Sequence, residues 1–151
     1  GFSFTLKRAF DSERRCSVAA RLLVVDDEEK VRIYLARLLA RRGYEVETAA
    51  DGALALEKVA KEDFDAVLLD VLMPGMSGME VLPRIKKLKP MVEVIMLTGN
   101  ASVKIGVESM KLGAFTYLLK PIDLEKLVEC LTEALEHGRF VKKGPSSPNP
   151  P

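Results

Sequence analysis

The stretch Ala66-Val-Leu-Leu-Asp70 constrains this chain more than any other. Four apolar residues run without a break into an aspartate, and the chain then turns through Pro74 and Gly75. A short apolar run bounded by turn residues is the pattern of a strand buried on both faces, as in a parallel sheet. Asp70 then stands at the carboxyl end of that strand, on the edge of an open α/β sheet where ligands gather.

Further strand runs stand along the chain. Leu22 to Val25 runs into Asp26-Asp27-Glu28-Glu29, Tyr44 to Ala49 is a second short strand, Val92 to Leu97 ends at Thr98-Gly99, and Phe115 to Leu119 ends at Lys120-Pro121. Helical stripes lie between and after these runs: Val31, Leu35, Leu38 and Leu39; Ala53, Leu56, Val59 and Ala60; Val81, Leu82 and Ile85; Val103, Val107 and Met110; and Leu124, Leu127, Val128, Leu131 and Leu135. Glu28 and Glu29 fall in the first turn of the first helix, where carboxylates complement the helix dipole. Gly43 and Gly113 stand as C-terminal caps. Pro83 is harmless in the first turn of the third helix and kinks it if deeper. Strands alternating with helices over residues 21–138 argue an α/β domain, a parallel sheet with helices on both faces. Residues 1–20 lack a sustained period and read as a poorly ordered extension, and 139–151 as a Pro-rich tail or linker.

Composition narrows the function classes. With 151 residues, 48% of them hydrophobic, the chain can bury a proper core. Lys and Arg number 23 against 22 for Asp and Glu. That balance gives no electrostatic case for nucleic acid or an anionic membrane as a direct partner. Cys16 and Cys130 fit no metal or redox spacing and read as free thiols of a reducing compartment. No apolar run approaches the ~20 residues of a membrane span, and no signal-peptide core opens the chain, so the expected location is the cytoplasm.

The strand ends collect the chemistry. They carry Asp26 and Asp27, Asp70, Thr98 and Lys120. A parallel sheet brings all of these to one edge, where three crowded carboxylates need a counter-charge. A divalent cation with oxygen ligands plus a nearby ammonium supplies it. Mg²⁺ suits such a site because it takes one or two carboxylates, keeps waters and shares a phosphoryl oxygen. Lys120 and the Thr98 hydroxyl are then placed for the remaining phosphoryl oxygens.

Val24-Val-Asp-Asp-Glu28, Leu69-Asp-Val-Leu-Met-Pro-Gly-Met-Ser-Gly78, Leu97-Thr-Gly99 and Gly113-Ala-Phe-Thr-Tyr-Leu-Leu-Lys-Pro121 together resemble the receiver domain of two-component response regulators. The resemblance covers residues 21–138 in order. It implies a flavodoxin-like doubly wound sheet of five parallel strands in the order 2-1-3-4-5, the order of a receiver protein the fold is known from. It implies a phosphorylation-dependent switch with Asp70 as phosphoacceptor. Asp27 and Asp70 ligate Mg²⁺ directly, Asp26 acts through a water, and the Leu72 backbone carbonyl adds an oxygen. Thr98 moves toward the phosphoryl group, Tyr117 rotates inward behind it, Lys120 pairs with the phosphoryl oxygens, and the Lys120–Pro121 bond is cis. Leu72 and Asn100 sit at the rim of the site. A histidine kinase, a phosphotransfer protein or a small phosphodonor supplies the phosphoryl group. The face made by the fourth helix, fifth strand and fifth helix signals to an effector or a second copy, and Ile105, off the main stripe of its helix, is expected to help dock there. His137 is expected to be solvated near a helix end.

Three rivals are weighed against this reading. A haloacid-dehalogenase-type phosphatase also uses a nucleophilic Asp after a strand but needs an acid/base carboxylate two residues on, where this chain has Leu72. A flavodoxin-like mononucleotide binder needs a hydroxyl-rich phosphate loop after the first strand, where this chain has acids. A receiver-like interaction domain that takes no phosphoryl group is at odds with the full residue set.

Overall fold

A computed structural model of the chain describes residues 19–99 and 103–143. The expectations for residues 1–18 and 144–151, and the rim position Asn100, lie outside the described residues. The elements are β1 (Arg21–Val25), α1 (Glu29–Arg41), β2 (Glu45–Ala49), α2 (Gly52–Lys61), β3 (Ala66–Asp70), α3 (Gly78–Leu88), β4 (Glu93–Thr98), α4 (Val103–Lys111), β5 (Thr116–Leu119) and α5 (Leu124–Lys143). The strands form one parallel sheet in the order β2-β1-β3-β4-β5.

Alternation of side chains across the strands divides the core in two. Leu23, Val25, Val67, Leu69, Val94 and Met96 pack on one face under Ala55 and Val59 of α2 and Val81, Leu82 and Ile85 of α3. Leu22, Val24, Ala66, Leu68, Ile95 and Leu97 pack on the other under Leu35 and Leu39 of α1 and Leu127, Leu131 and Ala134 of α5. Every residue of β3 and β4 is buried, which is why those runs are continuous rather than alternating.

The loop that follows β3 is fixed at its far end. Ser77 Oγ accepts from the Glu80 N–H at 3.3 Å and Glu80 Oε1 accepts from the Ser77 N–H at 3.1 Å, a capping box that starts α3. Pro83 lies inside α3 beyond its first turn, and the helix runs on through it.

Two expectations are corrected and one is extended. First, α5 does not stop at Gly138 but continues to Lys143. Gly138 is buried against the start of β4, where a β-carbon would stand 3.5 Å from Glu93 Cγ, an ordinary packing distance. Second, His137 is exposed, as expected, but it also has a partner: its Nδ1 lies 2.7 Å from Glu93 Oε2 and its ring tilts over Phe115 at 5.6 Å. Glu93 opens a buried strand, and a buried carboxylate requires a hydrogen-bonding partner. Third, α4 faces the opposite way from the expectation. Val103, Val107 and Met110 are exposed, Val103 at 75%, whereas Ile105 and Leu112 are partly buried against the core. The residues of α4 that face fully inward are the small Gly106 and Ser109.

Candidate functional site

β1 and β3 are neighbours paired Val25↔Leu69, so the residues that follow, Asp26 and Asp70, emerge side by side. Asp70 is paired with Leu97 of β4, which puts Thr98 one step further along the same edge. The Lys120 N–H donates to the Thr98 carbonyl at 2.8 Å, which holds the end of β5 beside β4, and the Lys120–Pro121 bond is cis as the resemblance implies. Asp26, Asp27, Asp70, Thr98 and Lys120 thus meet at one lip of the sheet.

The side chains close the cluster. Lys120 Nζ stands 2.9 Å from Asp26 Oδ2 and 3.4 Å from Asp70 Oδ1. Carboxylate oxygens of Asp26, Asp27 and Asp70 all lie within 4.8 Å of one another. Asp26 is fully buried, Asp70 is 4% exposed, and Asp27 is open to solvent. Backbone donors steady the two buried acids: the Glu28 N–H reaches Asp26 Oδ1 at 2.9 Å and the Leu72 N–H reaches Asp70 Oδ1 at 3.4 Å. Arg32 Nη1 donates to the Asp26 carbonyl at 2.8 Å, pinning α1 to the same corner. No apolar pattern in the sequence marks Arg32 for that part.

Burial pushes the Asp70 carboxyl up to about 6, and the Asp26 charge adds to it; the Lys120 ammonium and the Leu72 N–H pull back only in part. Burial draws Lys120 downward, but its hydrogen bond to Asp26 and the charge of Asp70 outweigh that and hold it above its ordinary value. Three acids against one amine leave the cluster short of positive charge. Its donors are all hard oxygens, with no histidine or thiolate, so the chemistry of the set fits Mg²⁺ rather than a soft transition metal.

Gly78 shapes the floor. Its N–H donates to the Val71 carbonyl at 2.8 Å, and a β-carbon at this position would run into the Asp70 carbonyl oxygen. Only glycine lets the loop fold back so tightly beneath the strand end. Leu72 puts an exposed apolar side chain at the rim, as expected. Tyr117 is partly buried and packs against the core shared by α2 and α3.

The fold and this edge define a class: a doubly wound α/β domain whose strand ends hold an acidic pocket bridged by a lysine. The chain belongs to the response regulator receiver domain family, which matches residues 22–132. It is 44% identical over 119 residues to the transcriptional regulatory protein ZraR of Klebsiella oxytoca, covering 79% of this chain and 27% of that protein. It is 38% identical over 117 residues to the DNA-binding transcriptional regulator NtrC of Azospirillum brasilense, covering 78% of this chain and 24% of that protein. The chain therefore spans about a quarter of the length of these two curated relatives. Among solved structures, a CheY-like receiver domain protein from Methanospirillum hungatei JF-1 matches with a TM-score of 0.78 and 36% identity, over 83% of this chain and 99% of that one. The chain is thus a receiver domain of the two-component response regulator family, a phosphoacceptor signalling domain. Among the described residues no helix is long and apolar enough to cross a membrane.

Proposed function

We propose that Asp70 is the phosphoacceptor and that the acids and lysine around it form a Mg²⁺-dependent switch. The observation that carries this reading is the Lys120 ammonium bridging Asp26 and Asp70 beside a third carboxylate. An Asp70 Oδ attacks the phosphorus of the donor, the new O–P bond forms, and the bond to the donor's leaving group breaks: P–N when the donor is a phosphohistidine, P–O when it is acetyl phosphate. The leaving imidazole or acetate carries away the electron pair. Lys120 and the Thr98 hydroxyl bind the transferred phosphoryl oxygens. Asp27, Asp70 and the Leu72 backbone carbonyl would hold Mg²⁺, and Asp26 would act on it through a water. When bound, Mg²⁺ offsets the crowded negative charge of the acids and the incoming phosphoryl group.

The donor is a histidine kinase or phosphotransfer protein in the cytoplasm. The phosphoryl charge draws in Thr98 and Tyr117 and changes the surface of α4, β5 and α5. On that surface the exposed apolar residues Val103, Val107, Met110 and Leu119 are the docking contacts for an effector or a second copy, in place of Ile105. The relatives' names as transcriptional regulators support a transcriptional output, reached through protein contacts and not through nucleic acid bound by this chain.

Incubation with Mg²⁺ and acetyl phosphate, followed by intact-mass measurement, tests the reading. The wild-type chain gains one phosphoryl group, and neither Asp70→Asn nor chelator-treated wild type gains any. Equal uptake by Asp70→Asn would remove Asp70 from the chemistry.

A further inference from the structure

Gly106 lies in the middle of α4 and is buried, and no step of the phosphoryl chemistry uses it. A glycine inside a helix is a poor choice unless something needs its missing side chain. Here a β-carbon at residue 106 would stand 2.5 Å from Tyr117 Cζ, 2.6 Å from Cε1 and 2.8 Å from the hydroxyl oxygen. Those separations are far inside van der Waals contact, so the outer half of the Tyr117 ring fills the volume that any other residue at 106 would occupy. Tyr117 pairs with Met96, and Thr98 lies two residues beyond Met96, so Tyr117 and Thr98 stand on the same face of the sheet. The opposite end of the contact is anchored too: Ser109 Oγ donates to the Ile105 carbonyl at 2.8 Å and touches Met79 Sδ at 3.5 Å, tying α4 to α3.

We infer that Gly106 is a positioning residue for Tyr117: the bare backbone of α4 is the seat of the ring, and the residue at 106 decides whether the ring can sit there. The significance of that seat for signalling rests on the switch reading above, whereas the coupling between residues 106 and 117 does not. A larger residue at 106 forces the ring off α4 or lifts α4 from the sheet.

The test is a double-mutant cycle on the full chain with Gly106→Ala, Tyr117→Ala and the pair, read without any phosphodonor. Thermal melts are combined with NMR of ¹³C-labelled tyrosine rings, in which the Tyr117 signal is the one lost in Tyr117→Ala. With Tyr117 removed, Gly106→Ala shows the ordinary benefit of alanine in a helix, a rise of about 3 °C in Tm. With Tyr117 present that rise is absent or reversed, and the Tyr117 ring signal moves while those of Tyr34 and Tyr44 stay in place. An equal rise in both backgrounds, or a Tyr117 signal that does not move in Gly106→Ala, overturns the inference. Because no phosphoryl group is involved, this result and the fate of the Asp70 reading are independent.

Discussion

Asp70 is held in a setting that resists its own ionisation. Its carboxyl titrates near 3.8 in an unfolded chain and is pushed up to about 6 in the fold, chiefly by burial. The folded state therefore binds the proton more tightly, and stability declines as pH rises from about 4 through 6. Above that window the ionised Asp70 carries a penalty on the order of 2–3 kcal/mol. In metal-free buffer at pH 7.5, Asp70→Asn is expected to raise Tm by several degrees, and the gain should vanish when melts are repeated near pH 4. Lys120 works in the other direction. Its removal leaves the fully buried Asp26 without its amine, so Lys120→Ala should cost about 3 kcal/mol in urea unfolding at pH 7. At this scale Asp26, Asp27, Asp70, Thr98 and Lys120 were all legible, because each stands within two residues of the end of an apolar run and the run fixes which edge it occupies. Gly78 and Gly106 were not legible as to role. A glycine's part depends on what approaches it, here the Asp70 carbonyl and the Tyr117 ring, and no periodicity says what that is.

At the scale of elements, α4 shows where periodicity stops. The apolar residues Val103, Val107 and Met110 share one stripe, and Ile105 and Leu112 share another. A stripe says that residues lie together and not which side the sheet is on. The side is decided by closeness of approach: Gly106 and Ser109 are the buried residues, and Ile105 flanks them. Ile105→Ala should therefore destabilise the fold by about 1–3 kcal/mol, while Val107→Ala should change it by less than about 0.5 kcal/mol, as read from denaturant midpoints. The start of β4 gives a companion case. Glu93 sits in a strand read as apolar, and its partner His137 lies 44 residues away on α5, so no local pattern could pair them. His137→Ala leaves a buried carboxylate with one hydrogen bond fewer, and a loss of about 1–2 kcal/mol is expected by the same measurement.

Over the whole molecule, the alternation of strands and helices specifies the architecture. Continuous apolar runs require cover on both faces, and each connection is long enough for a helix, so a parallel sheet follows. Periodicity assigns faces and not neighbours, which is why the order β2-β1-β3-β4-β5 came from the family resemblance and then from the ladder itself. That order brings β1, β3, β4 and β5 ends to one lip and makes a single pocket out of residues up to 94 positions apart. The switch chemistry depends on which of the pocket's carboxylates forms the bond to phosphorus. Borohydride reduction of the acetyl-phosphate-treated chain, followed by peptide sequencing in a mass spectrometer, converts an aspartyl phosphate to homoserine and marks its position. Homoserine at position 70 alone is the predicted result; homoserine at position 26 or 27, or a phosphoryl-loaded chain with none at 70, would contradict it.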